Sequence, residues 1–64
     1  MDMKELIEQL EQRTADLFRD ARSQFDKGNK AAGLRARRTS LEMEPLLKQF
    51  RKMSLEMTNE RRKD

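Results

Sequence analysis

The stretch Asp26-Lys27-Gly28-Asn29-Lys30 decides how the rest of the chain is read. Gly28 suits the left-handed conformation that ends a helix, and Asn29 can cap the next one. Before this stretch, Met3, Ile7, Leu10, Thr14, Leu17, Ala21 and Gln24 alternate steps of four and three, a heptad seam that Leu6, Phe18 and Phe25 widen. After it the same alternation resumes at Ala32, Ala36, Thr39, Met43, Leu46, Phe50, Met53 and Met57. Two amphipathic helices joined by so short a turn must be antiparallel neighbours. The sequence therefore predicts an all-α protein, an antiparallel two-helix coiled-coil hairpin. Its single domain covers residues 1–64 as helix 3–26, turn 27–29, a longer helix 30–60 and a frayed basic tail 61–64.

Side-chain size and sign then set the register. Gln24 is expected against Ala32, Ala21 against Ala36, Leu17 against Thr39, Leu10 against Leu46 and Ile7 against Phe50. On one flank this puts Phe25 beside Gly33 and Phe18 beside Ser40, bulky against small, as close packing requires. On the other flank Asp20 meets Arg35 and Arg13 meets Glu42, opposite charges both times. At the amino end, Asp2 followed three residues later by Glu5 resembles a capping box. Pro45 removes one helical donor and crowds the preceding turn. It lies off the seam and the pattern stays in phase across it, so a kink is expected, with a third helix starting at Pro45 as the alternative.

Composition bounds the function. A chain of 64 residues, 34% hydrophobic and 42% charged, buries little apolar surface by itself, so a second copy is expected, giving a homodimer with a four-helix arrangement. There is no Cys and no His, which removes thiolate metal sites, disulfides and the usual general base. No cofactor, metal or small-molecule substrate is expected, and no enzymatic activity. Glu5, Glu8, Glu11, Asp16 and Asp20 are spread along one helix as surface charge. Met43, Met53 and Met57 lie on the seam as core filler. No apolar run approaches the ~18 residues that span a bilayer, and Met1-Asp2-Met3-Lys4-Glu5 lacks a signal-peptide pattern. A cytoplasmic protein with no membrane contact is the expectation.

Charge is divided unevenly. Residues 1–26 carry four basic and seven acidic side chains, whereas residues 27–64 carry eleven basic and five acidic. On the second helix, outer heptad positions hold Lys30, Arg37, Arg38, Arg51 and Lys52, interrupted by Glu44 and Pro45. From Lys30 to Lys52 is about 33 Å at the helical rise, close to one turn of DNA. Such a stripe can track phosphates, although a solvated outer face of a coiled coil has the same composition. Between these cations stand Leu34, Leu41 and Leu55, opposite the seam, which point to self-association together with Phe18, Phe25 and Leu47. The Gly28 to Gly33 stretch lacks the Lys and Ser or Thr of a phosphate-binding loop, because Leu34 and Arg35 follow. Arg37-Arg38-Thr39-Ser40 has the form of a kinase target, but the match is short and Thr39 faces the seam.

Lys27-Gly28-Asn29-Lys30-Ala31-Ala32, followed by Arg35, Arg37, Ser40, Glu44, Lys48 and Arg51-Lys52-x-Ser54, resembles the bacterial linker-histone-like family of chlamydiae and its short Bacteroidetes-type relatives, over residues 4–57. The resemblance implies a non-enzymatic, nucleoid-associated protein that binds and compacts DNA, with Lys27, Lys30, Arg35, Arg37, Lys48, Arg51 and Lys52 at the family's basic positions. Chlamydial members carry a long Lys- and Ala-rich tail where this sequence has Arg61-Arg62-Lys63-Asp64, and Pro45 stands where a helix-favouring residue is expected. The expectation is a histone-like nucleoid protein binding double-stranded DNA through phosphates, without sequence preference, by the basic face of helix two, with Arg38 joining the family positions. The alternative is a self-associating protein–protein interaction module that does not bind DNA.

Overall fold

The computed structural model describes residues 1–61, with side chains described through Asn59. It is a rod of 54 × 15 × 15 Å made of two helices, α1 (Met3–Lys27) and α2 (Lys30–Arg61), packed side by side. The chain reverses within two residues. Gly28, at φ 65° and ψ 26°, ends α1 and donates its N–H to the Gln24 carbonyl at 2.9 Å, a left-handed cap that a Cβ would strain. Asn29 then opens α2, its Oδ1 accepting from the Ala32 N–H at 3.0 Å. At the other end of α1 the Asp2 carboxylate accepts from the Glu5 N–H at 2.8 Å. Every stop and start expected at these positions is thus made by a specific cap.

α2 is continuous through Pro45, so a third helix beginning there is excluded. Pro45 is exposed. Its ring crowds no inter-helix contact, and what it removes is the backbone donor that would have met the Leu41 carbonyl. With 32 residues against 25, α2 outruns α1 by about 10 Å at the end away from the turn. Of the basic tail expected at 61–64, Arg61 is the last residue of α2 and the rest lies outside the described residues.

The seam of α2 follows its sequence pattern: Ala32 is 0% and Ala36 6% exposed, and Thr39, Met43, Leu46 and Met53 are half-buried. On α1 the seam differs from the expected one. Met3, Leu10 and Leu17 face α2 as anticipated and Thr14 stays half-buried, as Arg13 is, but Leu6 and Asp20 are buried in place of Ile7 and Ala21. Leu6 is 0% and Asp20 3% exposed, whereas Ile7 is 43% exposed and Ala21 lies in solvent. The helix is rotated toward the ion-pairing flank, which lets the charged ends of Arg13 and Asp20 meet Glu42 and Arg35. A consequence is that the bulky-against-small pairs do not form within the chain. Phe25 is 89% and Phe18 61% exposed, and the space beside Gly33 is filled by the Gln24 side chain.

Candidate nucleic-acid interface

The two flanks of the hairpin have opposite chemistry. One carries the ion pairs. Asp20, buried where α1 meets α2, accepts from Arg35 of α2 through Nε and Nη2, both at 3.4 Å, and from Arg19 of its own helix at 3.5 and 3.4 Å. Burial raises the carboxyl pKa, but the hydrogen bonds from Arg19 and Arg35 outweigh it and hold the group below its ordinary value of 3.8. The Arg19 guanidinium is raised above its ordinary value by the hydrogen bond to Asp20, with the charges of Asp20 and Asp16 adding. Further along, Arg13 Nε lies 3.4 Å from Glu42 Oε1. That nitrogen is shielded from solvent yet makes no hydrogen bond, so the contact is a misaligned, half-exposed ion pair that adds little stability. Both cross-helix pairs are those read from the sequence.

Among the described side chains, the cations outside these pairs gather, apart from Lys4 and Arg22 on α1, on the outer face of α2 and at the turn. Lys30, Arg37, Arg38, Lys48, Arg51 and Lys52, with Lys27 at the turn, are all exposed. Among the described residues none of these seven takes part in an ion pair, whereas Arg13, Arg19 and Arg35 all do. Of the eight basic positions expected at the interface, Arg35 is therefore the one whose guanidinium is already engaged. Helical geometry spreads Lys30 to Lys52 over about 33 Å along one side of the rod, with Glu44 breaking the stripe. Leu34, Leu41 and Leu55, 49%, 65% and 62% exposed, run down the middle of the same face.

The opposite flank is apolar and open. Ile7, Leu10, Thr14 and Phe50 line one shallow groove, Met3, Ile7, Phe50, Ser54 and Met57 a second, and Leu17, Ala36, Ser40 and Leu41 a third. The six residues expected to mediate self-association thus fall into two sets. Phe18, Phe25 and Leu47 border this flank, and Leu34, Leu41 and Leu55 form the outer ridge of α2, with Leu41 also lining the third groove. Sequence reasoning missed Arg19, the second partner of Asp20. Its spacing one residue before an acidic seam position was the available signal.

Residues 4–60 match the histone H1-like protein Hc1 family. The chain belongs to that family. The resemblance carried by the Lys27–Ala32 run and the cations after it is thereby borne out, and the matched segment contains all eight basic positions. The Hc1 family is one of histone-like, DNA-binding structural proteins rather than of enzymes. No curated protein and no solved structure matches the chain. No helix among the described residues is long and apolar enough to cross a membrane.

Proposed function

We propose that this member of the Hc1 family is a nucleoid architectural protein of the cytoplasm. In this reading it binds double-stranded DNA without sequence preference, as a homodimer, through phosphate contacts along the outer face of α2. The observation that carries the reading is the sorting of cations. Arg13, Arg19 and Arg35 are matched with carboxylates, while Lys27, Lys30, Arg37, Arg38, Lys48, Arg51 and Lys52, seven cations against only Lys4 and Arg22 on the rest of α1, are exposed without an ion-pair partner among the described residues. Unpaired cations spaced along a rod are suited to displacing counterions from a phosphate backbone, a term indifferent to base sequence. Arg35, committed to Asp20, contributes least to such contacts and most to the fold.

Titration of a short duplex with the full chain at several salt concentrations tests this. Contacts by about five of these seven cations give a log–log salt slope of about −4.5, the same for unrelated duplex sequences. Replacing Arg37, Arg38, Arg51 and Lys52 together by Gln removes binding and leaves the helical circular dichroism spectrum unchanged. An absence of binding at low salt overturns the proposal, and binding that survives the fourfold replacement moves the contact away from α2.

A further inference from the structure

α2 repeats itself. Arg37-Arg38-Thr39-Ser40-Leu41-Glu42-Met43 returns as Arg51-Lys52-Met53-Ser54-Leu55-Glu56-Met57, identical at five of seven positions. The offset is two heptads, so the cation pairs Arg37-Arg38 and Arg51-Lys52 stand about 21 Å apart along the helix and within about 40° of each other around it. One heptad before the first pair, Lys30 holds the same position as Arg37, about 10.5 Å away. The point midway between the pairs is different. There Glu44 and Pro45 take the places of the two cations, and both are exposed. An ionised carboxylate only accepts hydrogen bonds, and Pro45 leaves the Leu41 carbonyl without its helical donor. Only acceptors are offered at this point, so it cannot hold a phosphate. Lys48, one turn further on, extends the second pair rather than filling the gap.

These unequal steps match the unequal grooves of B-form DNA. A turn of about 34 Å is divided between a major groove about 12 Å wide and a minor groove about 6 Å wide. Shared out in that proportion, the turn sets the backbones that cross one face of the duplex about 23 Å apart over the major groove and about 11 Å apart over the minor groove. We propose that α2 lies lengthwise along one face of a B-form duplex and touches three successive backbone crossings. Lys30 and the Arg37-Arg38 pair straddle the minor groove, and the Arg37-Arg38 and Arg51-Lys52 pairs straddle the major groove. Glu44 then stands over the open major groove, where no phosphate meets it. The helix reads groove spacing rather than bases. A-form RNA, with its narrow major groove and wide minor groove, sets its backbones at other intervals, and a single strand has no fixed crossings, so the arrangement selects double-stranded DNA. This geometry rests on the phosphate-contact reading above and supplies a reason for the interruption in the stripe.

A charge swap in the full chain tests the spacing at constant composition. Glu44→Arg combined with Arg51→Glu keeps the net charge and the number of cations on α2 and alters only exposed positions, so the helical circular dichroism spectrum should be unchanged. Affinity for a DNA duplex at about 50 mM salt should fall about tenfold, the loss of one phosphate contact, and the log–log salt slope should become shallower by about 0.9. An affinity within about twofold of wild type overturns the spacing and leaves the phosphate reading standing, because the number of charges alone then governs binding. The unaltered chain provides a second arm. It should bind an RNA duplex of equal length about tenfold more weakly than the DNA duplex, and equal binding of the two overturns the B-form match. No binding of DNA by the unaltered chain at low salt removes the phosphate reading itself, and the spacing with it.

Discussion

The end of the hairpin at the turn and the end away from it are held by different forces. Near the turn, Ala32, Gly33 and Ala36 bring the helices close, and the buried Asp20 carboxylate is fixed by Arg19 and Arg35. Little there is left uncovered on the inner side. Toward the open end the seam passes to Leu6, Leu10, Leu46, Phe50 and Met53, and only Leu6 is fully buried, while Phe50 stays 38%, Met57 39% and Ile7 43% exposed. Small side chains and ion pairs can be completed by two helices. Large ones cannot, because two rods in contact cover only the strip between them and leave the sides of a Phe or Met in water. Along the seam the turn end is therefore the better closed of the two, although Phe18 and Phe25 on its flank stand 61% and 89% exposed.

The largest effect expected from this contrast is at Leu6. Leu6→Ala removes the one large side chain among the described residues that is wholly out of water and should cost about 2–5 kcal/mol, enough in so small a domain to abolish cooperative thermal unfolding at low protein concentration. A loss under 1 kcal/mol would mean that the open end contributes no core. Next comes Pro45, exposed near the middle of α2. Pro45→Ala restores the donor for the Leu41 carbonyl without disturbing the seam, and should stabilise the chain by up to about 3 kcal/mol. Calorimetry that finds no gain would show the proline to be compensated elsewhere. The smallest effect tests the turn end. Because the Asp20 pKa is lowered on folding, its contribution is full above the ordinary carboxylate value of 3.8 and is lost as pH falls through the depressed folded value. Wild-type Tm should thus drop on acidification, and Asp20→Asn should start lower and flatten that drop. Equal pH profiles would remove the carboxylate from the account.

The helices, the turn and both cross-helix ion pairs were legible in the sequence because each is specified locally or by charge sign. Gly28 and Asn29 cap by backbone conformation and short-range hydrogen bonds, and Asp20 and Arg35 attract at any register that lets them meet. The rotation of α1 was not legible. Met3, Leu10, Leu17 and Gln24 belong equally to a line through Ile7, Thr14 and Ala21 and to one through Leu6, Arg13 and Asp20. Hydropathy favours the first line. The second wins because the long stems of Arg13 and Arg35 reach across the seam while their charged ends find carboxylates, and because Ala32, Gly33 and Ala36 leave room for Asp20. For the candidate interface, the basic stripe was readable as a pattern of charges. That Arg35 is engaged and its neighbours are not required the packed structure.

Heptad spacing and the Gly28–Asn29 caps by themselves determined that this protein is an antiparallel helical hairpin, since both act through bonds and dihedral angles within a few residues. The Lys27–Ala32 run and its trailing cations determined the family. Tertiary structure alone decided which of two lines on α1, one through Ile7, Thr14 and Ala21 and one through Leu6, Arg13 and Asp20, is turned toward α2. That choice balances side-chain reach, charge pairing and burial across two helices at once. It turns Phe18 and Phe25 from core residues into surface knobs.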